Sequence, residues 1–241
     1  MRLTTLLTAS CALCLPGPPL HAGDWTLGLG AQAERLAYRD AETTLSPVPY
    51  IQYQGARFGL QNDSLSWRLG ADATTRWQWV LDYRATGHSD SPALDALARE
   101  GSWETGLAVD HDLGVDTQLS ASVQADSEAV HRGYRVTLDL EHTVERGNLD
   151  LSLVAGATYR SQRLAQHRFG VSANEATTTL GAHTARAAWT PALEGRIVLH
   201  RPRHTAWAFQ LSVTDLSAYR DSPLLARNHT LDAVLIWLKQ F

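Results

Sequence analysis

Apolar and polar residues alternate one by one over run after run of this chain, and a period of two puts them on opposite faces of an extended strand. In the last run Leu231, Ala233, Leu235 and Trp237 share one parity, Thr230, Asp232 and Gln240 take the other, and the chain stops on Phe241. The same split recurs in Trp25 to Ala33, Trp77 to Tyr83, Val115 to Val123, Tyr134 to Leu140, Leu149 to Tyr159 and Trp207 to Val213. Weaker runs cover 46–53, 57–69, 103–111, 181–189 and 193–200, with turn signals at Gln54-Gly55, Gly147-Asn148, Thr190-Pro191 and Arg201-Pro202-Arg203. About twelve strands result, each long enough to cross a bilayer at a tilt.

The first residues point to the cell envelope. Met1-Arg2 precedes an apolar run from Leu3 to Leu15 and the breaker Pro16-Gly17-Pro18-Pro19, the pattern of a secretory signal peptide cleaved after Ala22. Both cysteines, Cys11 and Cys14, fall inside this leader, which leaves residues 23–241 as a barrel domain without disulfides. Thr8 stands where a lipoprotein box would want Leu, so no lipid anchor is expected. The net charge of -4 argues against a nucleic-acid partner.

A water-soluble β-sandwich also alternates. The length of these runs, the aromatics at their ends (Trp25, Trp77, Tyr83, Trp103, Tyr159, Trp189, Trp237) and the strand at the C-terminus favour an all-β transmembrane antiparallel barrel in the outer membrane of a Gram-negative cell. Such a sheet must close, because an open edge in hydrocarbon leaves N–H and C=O groups unpaired. The first run should therefore pair with the last, where Leu231, Leu235, Trp237 and Phe241 form the strand offered to the barrel-assembly machinery and to outer-membrane lipid. Lys239 breaks the apolar parity near the end, where it can snorkel to the interface.

The other parity should line the lumen with Arg76, Asp82, Arg84, Asp116, Arg135, Asp139, Glu141, Asp150, Arg160, Arg186, Arg196 and Asp232. Both signs are present in similar number, which favours internal ion pairing over a charge-selective pore. Catalysis is not expected. The chain lacks G-x-S-x-G and H-E-x-x-H, and among its ten histidines Asp110-His111-Asp112 reads as a loop tip, so no metal or cofactor is implied.

Pro47-Val48-Pro49-Tyr50-Ile51-Gln52-Tyr53 followed by Arg57-Phe58-Gly59-Leu60 resembles the signature segment of the MipA/OmpV family of outer-membrane proteins. Arg168-Phe169-Gly170-Val171 is similar to that family's Tyr-Phe-Gly-Val element, with Arg168 in place of the aromatic, and Asp221-Ser222-Pro223-Leu224 resembles its Ser-Pro before the last strand. The resemblance implies a non-enzymatic scaffold for murein-synthesising and murein-hydrolysing enzymes. The family's namesake binds a lytic transglycosylase and a bifunctional penicillin-binding protein, and other members are tied to osmotic or antibiotic response and to adhesion.

Two stretches do not read as strand. Leu94 and Leu97 in Ser91 to Glu100 have helical spacing, and Arg163 to Thr177 is a long connection. With both termini periplasmic, counting strands puts both stretches on the periplasmic side, either as docking loops that present Leu94 and Leu97 or as plugs folded against the lumen. A scaffold would use that side. A small-solute channel would respond to changes at Arg76 or Asp139, and an adhesin would use the outer loops Arg35 to Ser46 and Leu216 to Asn228.

Overall fold

The computed structural model describes residues 23–85, Leu94, Leu97 and residues 99–241. The expected leader at 1–22 lies outside the described residues. Among the described residues twelve antiparallel strands close into a barrel: β1 (Asp24–Arg35), β2 (Thr43–Gln54), β3 (Phe58–Gln61), β4 (Ser64–Ala71), β5 (Thr75–Arg84), β6 (Ser102–Asp112), β7 (Thr117–Asp126), β8 (Tyr134–Arg146), β9 (Leu149–Arg160), β10 (Ala188–Arg201), β11 (Thr205–Asp215) and β12 (His229–Gln240). Each strand pairs with its sequence neighbours, and β1 pairs with β12 from Thr26↔Gln240 to Arg35↔Leu231. One helix, α1 (Gln162–Phe169), sits between β9 and β10.

Alternation sets which face of each strand meets lipid. Trp25, Leu27 and Leu29 on β1 and Leu231, Leu235 and Trp237 on β12 are exposed, while Gln32, Glu34, Val234, Ile236 and Leu238 on the other parity are buried. Close approach at the seam depends on glycine: a Cβ on Gly30 would meet the Ile236 Cα at 2.8 Å, and one on Gly28 would meet the Leu238 Cδ2 at 2.7 Å. Their absence lets an inner apolar wall of Tyr50, Val198, Ala208, Val234, Ile236 and Leu238 pack behind β1.

β2 has a bare half. It pairs with β3 only at Gln52, Tyr53 and Gln54, because the β3–β4 hairpin turns back at Asn62-Asp63. The Ile51 N–H donates to the Asn62 Oδ1 at 2.9 Å and the Ile51 carbonyl accepts from the Asn62 N–H at 2.9 Å, so odd-numbered β2 residues point their peptide groups toward this side. Pro47 and Pro49 occupy the next odd positions. Proline has no N–H, so the edge carries two fewer donors that would need a partner in hydrocarbon.

The rims differ. Turns 55–57, 72–74, 113–116, 147–148 and 202–204 lie at the end that holds both barrel termini, whereas 36–42, 127–133, 161–187, 216–228 and the described residues of 85–101 lie at the other. Outer-membrane barrels have short periplasmic turns and longer outer loops, which makes the second rim the outer one. This corrects the expected side of Arg163 to Thr177 and, from Ser91 to Glu100, of Leu94, Leu97, Arg99 and Glu100, which belong to outer connections; the rest of Ser91 to Glu100 lies outside the described residues. The run 57–69 is two strands, β3 and β4, and this extra reversal inverts the side of everything up to β10, where 188–201 is one strand through Pro191. Lys239 lies at the periplasmic rim, donating to the Arg203 carbonyl at 3.1 Å.

Gly30→Val is expected to block closure, since two of the atoms it meets first, the Leu235 carbonyl oxygen and the Ile236 Cα, are backbone and cannot yield. In semi-native electrophoresis of envelopes the fast-migrating folded form should be lost; a normal folded band would show that the seam tolerates a side chain.

Candidate functional site

The lumen holds the chemistry, in three tiers. Near the outer end the Arg135 Nε lies 2.9 Å from the Glu104 Oε2 and its Nη2 lies 3.5 Å from the Asp82 Oδ2, while Arg84 reaches the same Asp82 oxygen at 3.0 Å. Gln124 donates to Asp82 at 2.6 Å and accepts from Arg135 at 3.0 Å. Halfway down, Arg196 bridges Glu194 at 2.5 Å and Glu141 at 3.4 Å; Gln210 donates to Glu194 at 2.9 Å and Gln32 to Asp232 at 2.5 Å. Toward the periplasm Arg76 lies 3.8 Å from Asp110, and His200 lies 2.6 Å from Asp150. Low surroundings of this polarity strengthen each paired contact and penalise each broken one.

Beside the outer tier, His131 is clamped by Ser102, Glu104 and Asp126 in an arrangement that superficially resembles a hydrolase triad. The His131 Nε2 lies 3.1 Å from the Ser102 Oγ, but the Nδ1 accepts the Gly133 backbone N–H at 3.0 Å. The ring proton therefore sits on Nε2, facing the serine, and cannot be replaced there by the serine's own. Asp126 accepts the backbone N–H groups of His131 at 2.6 Å and Arg132 at 2.7 Å instead of holding the ring. The wiring is the reverse of what a Ser nucleophile requires, and it fixes the 127–133 connection.

Over this network the outer connections fold into an apolar cap. Tyr38, Phe169 and Tyr219 stack, with centroids 6.4 Å and 4.2 Å apart, and Leu216, Leu224 and Val171 pack around them. Leu94 and Leu97 belong to the same cluster, 1% and 8% exposed. Of the two readings of these leucines, docking residues or plug, burial in this cluster fits the plug. The loops 36–42 and 216–228 likewise turn their large apolar side chains inward.

The charged positions sort by strand. Arg76, Asp82, Arg84, Arg135, Asp139, Glu141, Asp150, Arg160, Arg196 and Asp232 lie on strands at inward parity, Asp139 next to Gly156, whose missing side chain leaves room for the carboxylate. Two do not. Asp116 is exposed in the 113–116 turn, because β7 starts only at Thr117, and Arg186 is exposed in 161–187, because β10 starts only at Ala188. Glu104 was not singled out from the sequence, although it shares a parity with Asp110 in the run that begins at Trp103 and could have been found that way.

With this geometry in view the comparisons are decisive. The model of the family described as MltA-interacting protein MipA matches residues 27–239. The chain belongs to the MipA family. Relatives include the putative outer membrane protein YiaT of Escherichia coli K12, 23% identical over 88% of this chain and 89% of that protein. Outer membrane protein OmpV of Vibrio cholerae is 25% identical, with 90% and 84% covered, and the MltA-interacting protein of Escherichia coli K12 is 25% identical, with 72% and 73% covered. Among solved structures, the NanC porin gives a TM-score of 0.45 at 7% identity, covering 90% of this chain and 98% of that one. The toluene transporter TbuX of Ralstonia pickettii gives 0.46 at 10%, with 92% and 90% covered. This MipA-family chain is an outer-membrane β-barrel.

Within the family barrel, two measurements probe the tiers. Glu104→Gln leaves the buried Arg135 short of its nearest carboxylate and should cost about 3 kcal/mol in urea unfolding from vesicles; a loss near zero would mean that Asp82 alone neutralises Arg135. In the cap, burial pushes the Glu175 carboxyl up, but donation from the Ser172 hydroxyl and N–H and the Arg99 guanidinium outweighs it and holds the group below the usual carboxylate range. A depressed carboxyl stabilises above its ordinary value and stops doing so as pH falls through the lowered one. Amide exchange in 171–177 should therefore accelerate on acidification below 4.5 in the native chain and show no such step in Glu175→Gln.

Proposed function

We propose that the protein is an outer-membrane scaffold that holds a murein enzyme, a lytic transglycosylase and with it a bifunctional penicillin-binding protein, at its periplasmic rim. Support comes from relatives named for interaction with MltA and from the family description. The observation that carries the reading is on the rim itself. The 113–116 turn, pinned by the Leu113 N–H on the Thr117 carbonyl at 2.9 Å, holds Leu113 and Val115 out beyond the barrel, 55% and 101% exposed. An apolar tip on a rigid strand end is suited to bury itself in a partner.

The expected result is that a lytic transglycosylase crosslinks to and copurifies with the tagged native chain, and that Leu113→Asp together with Val115→Asp removes most of it while the folded band persists. Undiminished recovery from that variant excludes the turn as the docking point. A gated solute channel is the second reading, supported by the charged lumen. It requires the cap to open, and planar-bilayer conductance that changes with Arg76→Ala or Asp139→Asn would favour it over the scaffold.

A further inference from the structure

Five arginines converge beneath the cap: Arg84 on β5, Arg99 in 85–101, Arg135 on β8, Arg160 at the end of β9 and Arg168 in the last turn of α1. Three have carboxylate partners, Arg84 with Asp82 at 3.0 Å, Arg99 with Glu175 at 2.8 Å and Arg135 with Glu104 at 2.9 Å. The other two rest on neutral acceptors. Arg160 donates to the Thr190 hydroxyl, and Arg168 donates to the Ala85 carbonyl at 3.0 Å. Both side chains belong to half-buried residues, shielded enough for their charges to matter and open enough to be reached.

Tyr219 adds an independent sign. It is 3% exposed and its buried hydroxyl has no hydrogen-bond partner among the described residues. Its ring lies on Phe169, the residue after Arg168, and its hydroxyl feels the charges of Arg160 and Arg168. Tyr38, across Phe169, feels the same two guanidiniums together with Arg99, with Glu34 opposing them. Burial pushes both phenols up against the pull of these arginines, so each stays protonated.

Among the described residues, then, two guanidiniums have no carboxylate partner and a buried hydroxyl has no acceptor, and donors that converge without an anionic partner recognise an oxyanion. The C-terminus of α1 offsets part of the charge on Arg168, but it leaves Arg160 and the Tyr219 hydroxyl unanswered. We infer that Arg160, Arg168 and Tyr219 form a binding site for a small oxyanion, a carboxylate or a phosphate, between the cap and the lumen. The site is independent of any periplasmic partner.

The test uses the full folded protein in detergent, with thermal unfolding followed by tryptophan fluorescence in sodium phosphate or sodium acetate against sodium chloride at constant ionic strength. A saturable rise in Tm with phosphate, acetate or both is expected, and which anion acts assigns the class. Arg160→Gln with Arg168→Gln should weaken the response about tenfold or more, and Tyr219→Phe, which keeps the ring stack, should weaken it with the fold intact. No saturable shift with either anion overturns the site, as does an equal shift in the double variant. If the double variant does not fold, an unchanged response in Tyr219→Phe overturns it.

Discussion

Hydrocarbon offers a peptide group no hydrogen-bond partner, and the rest of the structure follows from that deficit. A sheet in lipid has to close, so β1 and β12 run together for ten residue pairs from Thr26↔Gln240 to Arg35↔Leu231. Closure draws the two backbones together behind an inner apolar wall, which is why β1 carries Gly28 and Gly30 opposite Leu238 and Ile236. Where the wall thins, at the short β3–β4 hairpin, Pro47 and Pro49 lower the number of donors on the bare half of β2. The Pro-Val-Pro segment thus has a physical reason inside the fold, apart from its value as a family marker.

Turning one apolar parity of each strand to lipid leaves the charged side chains inside, beside the inner apolar wall, and they have to neutralise one another. They do so in tiers, Asp82 with Arg84 and Arg135, Glu141 and Glu194 with Arg196, Asp110 with Arg76. Pairs of this kind cost desolvation to assemble and cost more to break, so they specify one arrangement of the barrel wall more than they add net stability. Under the cap the described residues leave Arg160 and Arg168 on neutral acceptors, with no carboxylate among them in contact. A surplus of one sign in a half-buried volume is stable only with something of the other sign nearby.

Parity made the fold legible from sequence: the lipid face and the β1–β12 seam follow from a period of two. It could not show where a strand reverses. The Asn62-Asp63 turn has no glycine or proline and works because Asn62 adopts φ 47°, a left-handed conformation that asparagine tolerates. Conversely Pro191 reads as a break but lies in β10 next to the last residue paired with β11, Ala192, at a point where a missing N–H costs no ladder bond there. One missed turn and one false break leave the total at twelve and invert every connection between them. Hence counting strands puts the long connections on the periplasmic side, with Leu94 and Leu97 either docking a partner or plugging the lumen there. Asp116 and Arg186 were misplaced for a local reason, since alternation runs on for a residue or two past the end of a ladder.

The corrected sidedness changes what each rim can do. The outer rim has spent its apolar residues on itself: Leu94, Leu97, Phe169, Tyr219 and Leu224 form a small core, tied down by Arg99 on Glu175 and by the Ser222 hydroxyl on the Phe169 carbonyl at 2.6 Å. Opening it for solute would expose that core and break those bonds together, so passage through this barrel would be a switch between two packed states and not a fluctuation of one loop. The periplasmic rim has no such layer. Its turns are short, and Leu113 and Val115 protrude from one of them with nothing among the described residues folded over them. The two ends of the barrel therefore differ in kind: among the described residues the outer one buries its apolar side chains in its own core, and the inner one leaves Leu113 and Val115 in solvent.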